Sequence, residues 1–403
     1  MSTGLPHSSP PEAEQAADEP RAPEAPARDG VVSVQVCALT DVGRTREHNE
    51  DAFLVGDLGE PEPLTFLDDA AAISGTHDVR VREIEPSGPG LLFLVADGLG
   101  GAAAGEIASR MGARAVFDAM RVRLPEAGDS AADFAIALRD AVLSANSAIH
   151  QHASRHAELR GMGTTLTAAA LHGDTLFLAQ VGDSRAYLLR DGVMQQLTKD
   201  QSLMQKLVEA GEITPEQAET SVRRNIILQA LGPEASVKVD LTHQPIRRGD
   251  LLLLCSDGLS GQVRATELAD ATTQASDLAS LCRELIARAN ATGGPDNITV
   301  VAARFDGEGL ADASQQDAVG HQRFPIGTPT PETPLSPVIG AMPERPKSLE
   351  MPAVVPPAPA APAAPVPPVD LAERQDRAKV VYAGLALLAV VLAALLAWRL
   401  LQP

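Results

Sequence analysis

Asp97-Gly98 and Asp257-Gly258 are the residues of this chain best placed to do chemistry. Each pair ends a strongly apolar run, Leu91-Leu-Phe-Leu-Val-Ala-Asp-Gly98 and Leu251-Leu-Leu-Leu-Cys-Ser-Asp-Gly258. A third pair, Gly182-Asp183, closes Leu176-Phe-Leu-Ala-Gln-Val-Gly-Asp183. Short apolar runs bounded by Gly or Asp predict buried strands. Three carboxylates are therefore expected at strand ends, where a rigid sheet fixes their positions. Asp51, in Asn49-Glu50-Asp51, and Asp296, in Gly293-Gly-Pro-Asp-Asn297, complete the set. One Asp-Gly after a strand is ordinarily a turn and nothing more; five carboxylates in such settings make five unrelated turns the weaker reading. If they converge, they cannot tolerate each other's charge without a cation. All-oxygen donors point to Mg²⁺ or Mn²⁺ rather than zinc.

The elements that must position these residues follow from periodicity. Helical patterns cover 103–123, 131–158, 202–211, 215–220 and 264–292, and strands fill most of the rest of 31–305. Runs 165–171 and 174–182, joined at His172-Gly173, predict a hairpin. Helices grouped between sets of strands indicate an α+β architecture.

Seven stretches, in order, carry a family resemblance. They are Asp41-Val-Gly-Arg-Thr-Arg-Glu-His-Asn-Glu-Asp-Ala-Phe53, Val95-Ala-Asp-Gly-Leu-Gly-Gly-Ala-Ala-Ala-Gly-Glu106 and Gly161-Met-Gly-Thr-Thr-Leu-Thr167. Val181-Gly-Asp-Ser-Arg-Ala-Tyr187, Leu197-Thr-Lys-Asp200, Cys255-Ser-Asp-Gly-Leu259 and Gly293-Gly-Pro-Asp-Asn-Ile-Thr-Val300 follow. Over roughly residues 33–305 the chain resembles the bacterial form of the metal-dependent serine/threonine protein phosphatases, the PPM or type 2C family.

That resemblance implies a four-layer α-β-β-α sandwich of two antiparallel sheets, with a dinuclear metal site between them. It implies that Asp97 bridges two Mn²⁺ or Mg²⁺ ions, with the Gly98 carbonyl facing one. Asp51 would serve one ion and Asp257 and Asp296 the other, while Asp183 would hold a third, weaker one. Arg46 matches the arginine that grips the substrate phosphate, and 198–230 matches a flap beside the active site. Two such metals about 3.5–4 Å apart would make hydroxide available at neutral pH for in-line attack on phosphorus. The chain departs from the family's usual residues at Leu99, Ala102, Gln201 and Ser221-Val222. Those changes bear on the flap and outer contacts, hence on substrate preference, and leave the carboxylates intact.

Composition places the rest. Residues 1–30 are rich in Pro, Ala and Glu without apolar periodicity and are expected to be disordered. Residues 57–90 carry eight acids against Arg80 and Arg82 and form an expected surface insertion. The two segments contribute −4 and −6, half of the formal charge of −20, so the acidity says little about the catalytic surface. No basic stripe exists for a nucleic acid. Gly98, Gly100, Gly101 and Gly105 are followed by no Lys-Ser/Thr, which excludes a phosphate loop of the nucleotide-binding kind. Cys37, Cys255 and Cys282 are few and widely spaced, with neither a disulfide framework nor a zinc pattern.

The globular domain is expected over 31–307. Fifteen of the 31 prolines fall between Pro325 and Pro368, marking 308–379 as an extended linker. Val380–Trp398 then carries no charge, and at about 1.5 Å per residue it approaches the roughly 30 Å hydrocarbon core of a bilayer. A single transmembrane helix is therefore expected over 380–401. Arg374, Arg377 and Lys379 precede it against Arg399 alone beyond, which predicts a cytoplasmic catalytic domain anchored to the inner membrane. The N-terminus has no signal-peptide pattern. The expected partners are phosphorylated proteins, with serine/threonine kinases as opponents. Two other readings are a non-catalytic phosphoprotein-binding scaffold, which loss of the metal carboxylates would favour, and a hydrolase of small phosphoesters, which kinetics would separate.

Overall fold

Leu91–Ala96 and Leu251–Cys255 are apolar at every position because both faces of each strand are covered. Leu91, Phe93 and Val95 face one core while Leu92, Leu94 and Ala96 face another. Leu252 and Leu254 join the same central core as Leu91, and Leu251, Leu253 and Cys255 point into a third. The period-two alternation of a strand thus feeds two apolar layers at once. The computed structural model describes residues 30–66, 77–78 and 82–325, apart from Gly101, Asp129, Val222 and Gln315.

In chain order the first strands are β1 (Ser33–Asp41), β2 (Ala52–Asp57), β3 (Thr65–Phe66), β4 (His77–Asp78), β5 (Arg82–Ile84), β6 (Leu91–Ala96) and β7 (Gly98–Leu99). Helices α1 (Ala102–Arg123) and α2 (Ala131–Arg155) follow, then β8 (Gly163–Thr164), β9 (Leu166–His172), β10 (Thr175–Val181), β11 (Arg185–Arg190) and β12 (Val193–Gln196). A helical excursion, α3 (Leu203–Glu209) and α4 (Pro215–Glu219), precedes β13 (Asp240–Pro245) and β14 (Leu251–Cys255). Last come α5 (Asp257–Ser260), α6 (Ala265–Gln274), α7 (Leu278–Ala291) and β15 (Ile298–Asp306).

One antiparallel sheet runs β12-β11-β14-β15-β1, with β4 and β5 both pairing to β1; the other runs β13-β10-β9-β6-β2-β3. Helices α1 and α2 cover the second sheet through Phe117, Met120, Phe134 and Leu138. Helices α6 and α7 cover the first through Leu268, Leu281, Leu285 and Ile286. Phe53, Phe93, Leu252, Leu254 and Phe305 fill the space between the sheets. The result is the expected α-β-β-α order of layers.

Register brings the site together. Ala52 pairs with Ala96, so Asp51 and Asp97 leave neighbouring strands at the same end. Leu166 pairs with Val181, which sets Thr165 beside Gly182-Asp183. Cys255 pairs with Val300, and Asp41 with Ile298, so Ser256-Asp257, Asp296-Asn297 and Thr40-Asp41 share the matching end of the other sheet.

Four expectations need correction. The helix expected over 264–292 is two helices, because Asp277 accepts from the Ser280 amide at 2.7 Å while its own amide donates to Ser280 Oγ at 3.1 Å. That reciprocal cap begins a new helix. The β9–β10 hairpin turns at Gly173-Asp174 rather than His172-Gly173, since His172 pairs with Thr175 and Gly173 has φ +59°. The insertion at 57–90 is no mere surface appendage: β3 and β5 extend both sheets, and Ile84 is buried. Its residues 67–76 and 79–81 lie outside the described residues.

The fourth correction concerns the end of the domain. The chain does not leave the body at 307: Leu310 and Phe324 are buried, Phe324 against Phe177, and Arg323 bridges back to Thr242. Arg247 pairs with Asp317 at 2.6 Å, and His321 Nε2 meets Asp240 at 2.7 Å. The linker expected from 308 therefore starts no earlier than the end of this packed strap. Burying Leu and Phe side chains is worth about 1.5–3 kcal/mol each. A chain ending at residue 307 should thus unfold in urea with about 3–5 kcal/mol less stability than one ending at 325; equal midpoints and slopes would show the strap to be dispensable. The expected disordered N-terminus, the rest of the linker and the expected span at 380–401 lie outside the described residues. Among the described residues, no helix is long and apolar enough to cross a membrane.

Candidate active site

Asp51 enters β2 from a turn braced by Asn49, whose Oδ1 accepts the Asp51 amide at 3.1 Å and whose Nδ2 donates to Thr40 Oγ1 at 2.8 Å. Its carboxylate is buried and accepts from Ser256 Oγ and Thr299 Oγ1, both at 2.7 Å. Those bonds favour the charged form, yet burial outweighs them and pushes the carboxyl up to about 7.

Asp97 follows β6 and is clamped through its backbone. Its carbonyl accepts from the Thr165 amide at 2.8 Å and Thr164 Oγ1 at 2.9 Å, and its amide donates to Thr165 Oγ1 at 3.0 Å. Burial, then the charges of Asp51, Asp257, Asp183 and Asp296, hold this carboxyl well above its usual range. Asp97 thus feels all four of the other candidates. Asp183, after Gly182 at φ +107°, is pushed up to about 8 by burial, with Asp257 adding to it.

Asp257 is the first residue of α5. Burial and the neighbouring Asp296 raise it, and a hydrogen bond with Asp97 eases it. Its Oδ1 is buried without a hydrogen-bond partner. Behind it Gly258 packs so tightly that an added Cβ would strike the Asn297 carbonyl, and one at Gly98 would strike the Gly105 carbonyl. These contacts let each Asp-Gly turn seat closely against a neighbouring segment, Gly258 against Asp296-Asn297 and Gly98 against Gly105 and Glu50. Asp296, the outermost of the set, pairs with Arg46 Nη2 at 2.8 Å, and Arg46 is half exposed.

Arg46, Asp183, Asp257 and Asp296 line one cleft of about 660 Å³; Asp51 is buried, and Asp97 feels the charges of Asp183, Asp257 and Asp296. Every sequence-derived candidate is thus brought to this end of the sandwich. Two carboxylates in hydrogen-bond contact need a shared proton or a cation between them. With all-oxygen donors and the orphaned Asp257 Oδ1, the residues fit hard divalent ions that keep part of their water shell. Among the described residues, no three acidic, His or Cys side chains close into a ready-made cage.

Periodicity and motif spacing missed the supports. Asn297 Nδ2 donates to the Val42 and His48 carbonyls at 3.0 and 2.9 Å, while its Oδ1 accepts the Glu50 amide at 2.8 Å, tying the Arg46–Asp51 loop to β15. Arg185 makes a forked contact with Asp200 at 2.7–3.1 Å, fixing where the chain departs toward α3. Gln201, one of the departures from the family's usual residues, accepts the Gly182 amide at 3.0 Å and donates its own to the Gly182 carbonyl at 2.8 Å. Ser256 and Thr299 lie within quoted motifs; only the pairing of β14 with β15 reveals that both serve Asp51.

Comparison with known proteins identifies the family of this fold. Residues 81–300 match the protein phosphatase 2C family model. The serine/threonine phosphatase stp of Listeria monocytogenes is 37% identical over 267 residues, covering 66% of this chain and 94% of that protein. The crystal structure of the Mycobacterium tuberculosis serine/threonine phosphatase PstP/Ppp aligns with a TM-score of 0.54 at 36% identity, covering 70% of this chain and all of that one. A structure of the PstP catalytic domain in complex with 2 manganese ions aligns at 0.52 and 35% identity, covering 68% of this chain and 99% of its own. The chain belongs to the bacterial branch of the PPM, or protein phosphatase 2C, family of metal-dependent serine/threonine protein phosphatases.

Proposed function

We propose that Asp51, Asp97, the Gly98 carbonyl, Asp183, Asp257 and Asp296 hold two Mn²⁺ or Mg²⁺ ions, with a third at Asp183, and that the site hydrolyses phosphoserine and phosphothreonine on proteins. The observation that carries this is the unsatisfied group itself: the orphaned Asp257 Oδ1, next to Asp97, among carboxyls raised by burial and by one another. When bound, such ions supply a water acidic enough to attack phosphorus at neutral pH and positive charge for the phosphoryl oxygens. The chain's own residues position and hold. Ser256 and Thr299 occupy one oxygen of Asp51 and so orient the other. Arg46, half exposed and paired among the described residues only at its tip with Asp296, can turn its planar fork onto a phosphate. The presence of Asp51, Asp97, Asp257 and Asp296 argues against the scaffold reading, which loss of those carboxylates would have favoured.

The test is hydrolysis of a phosphothreonine peptide. Activity should vanish in EDTA and return with Mn²⁺; full turnover in metal-free buffer would sink the proposal. Arg46→Ala should raise KM by about 10- to 100-fold, as expected from losing about 1.5–3 kcal/mol of charged hydrogen bonding to phosphate. A loss of Mn²⁺ affinity instead would make Arg46 a support for Asp296.

The uncharged stretch from Val380 and the flanking Arg374, Arg377 and Lys379 support a second element of the proposal. It is a single-pass anchor in the inner membrane, with the catalytic domain cytoplasmic and set against membrane-proximal kinases. Between the packed strap and the anchor lie roughly 54 residues, giving a reach of about 40 Å as a flexible coil. The full chain should fractionate with membranes and one ending at 325 should not. Equal distribution of the two would refute the anchor.

A further inference from the structure

The cleft is larger than a phosphate requires, and its outer half has its own charge arrangement. One wall is the α5–α6 segment from Ser260 to Glu267; the other is the excursion between β12 and β13, contributing Glu219, Thr220, Arg224 and Asn225. A peptide whose phosphorylated residue lies beside Arg46 must run its neighbouring residues between these walls.

The charged groups there fall into three classes. Arg185 and Asp200 are committed to each other in a forked contact at the cleft floor. Glu267 accepts the Arg264 amide at 2.9 Å and so is occupied with starting α6. Arg264 Nε stands 3.7 Å from Glu219 Oε2 across the cleft, with the two side chains 74% and 59% exposed. A pair so long and so wet is held weakly and exchanges readily for another anion. Arg224 lines the same space, and no ion pair or side-chain hydrogen bond engages its guanidinium among the described residues. The positive end of the ten-residue α6 opens at Arg264 as well. The mouth therefore carries one uncommitted cation and a second that is loosely held, in a chain whose overall charge is −20.

Resting on the phosphatase reading above, we propose that Arg264 and Arg224 form an outer subsite for a carboxylate adjoining the phosphorylated residue, making acidic phosphopeptides the preferred substrate class. Glu219 occupies Arg264 when no substrate is present. An incoming Asp or Glu displaces it and gains planar, two-point contact with the guanidinium. Selection is electrostatic, so it weakens as the screening length falls below about 10 Å near 0.1 M salt.

The experiment compares kcat/KM of the full chain with Mn²⁺ on two phosphothreonine peptides that differ only in carrying Glu or Gln beside the phosphothreonine, with a small aryl phosphate as a third substrate. At low salt the wild type should favour the Glu peptide by about fivefold or more. The preference should approach one in Arg224→Gln/Arg264→Gln and rise in Glu219→Gln, which frees Arg264. A wild-type ratio near one, or a ratio that survives the double substitution, would overturn the subsite while leaving the hydrolase reading standing. No turnover of any of the three substrates by the wild type would overturn both.

Discussion

Replacing Asp257 with Asn should lower Mn²⁺-dependent turnover of a phosphopeptide by at least about 100-fold while making the metal-free protein more stable. The two effects have one cause. A hundredfold loss is about 2.7 kcal/mol of transition-state stabilisation, modest for removing a charge that a divalent ion would otherwise use. Without metal the same charge is a burden, because Asp257 is buried beside Asp296 and in contact with Asp97. An amide keeps the shape and can donate a hydrogen bond to Asp97, so the carboxylate repulsion falls. Asp97→Asn should behave alike, since Asp97 is pressed by all four of its partners. Thermal unfolding in EDTA together with turnover in Mn²⁺ checks both halves. A variant that loses activity and stability together would point to misfolding, and one that keeps turnover would remove Asp257 from the metal set.

The second large effect is a pH-dependent stabilisation by metal. In the folded, metal-free protein Asp51 and Asp183 are raised to about 7 and about 8 by burial, while an unfolded Asp titrates near its ordinary value of about 3.9. Between those limits the folded state binds more protons than the unfolded one, so stability falls as pH rises. Their contribution is complete below about pH 4 and is lost as pH passes through about 7 to 8. Divalent ions replace the missing protons and stabilise by mass action. The rise in Tm on adding Mn²⁺ should therefore be greater at pH 8 than at pH 6, and at pH 8 at least about 5 °C, given about 2–4 °C per kcal/mol for domains of this order. A rise equal at both pH values would mean that these carboxyls are already paired without metal.

The chemistry of the site was legible in the sequence because its residues sit where strands stop. Apolar runs ending in Asp-Gly identify both a buried strand and a carboxylate at its tip, a local signal that survives without knowledge of the partner strand. The four-layer order rests instead on the family resemblance; the structure supplies its physical reason, since Leu91–Ala96 and Leu251–Cys255 are covered on both faces. The Asp277–Ser280 exchange that divides the helix expected over 264–292 is just as local, but the apolar periodicity running through both helices conceals it.

What the tertiary structure alone decided is which residues support which. Ser256 and Thr299 reach one oxygen of Asp51 across more than two hundred positions, a pairing set by the register of β14 on β15 and of β1 on β15. Asn297 ties three backbone groups of the Val42–Glu50 segment to the opposite end of the domain's sequence for the same reason. The strap to Phe324 was invisible as well, because isolated buried residues such as Leu310 and Phe324 in a polar stretch carry no periodicity. Sequence determines the local alternation of apolar and polar groups and hence the elements and their charged tips. Partnerships between distant segments depend on sheet register, and a single Ser or Thr hydroxyl gives no sign along the chain of the carboxylate it will meet.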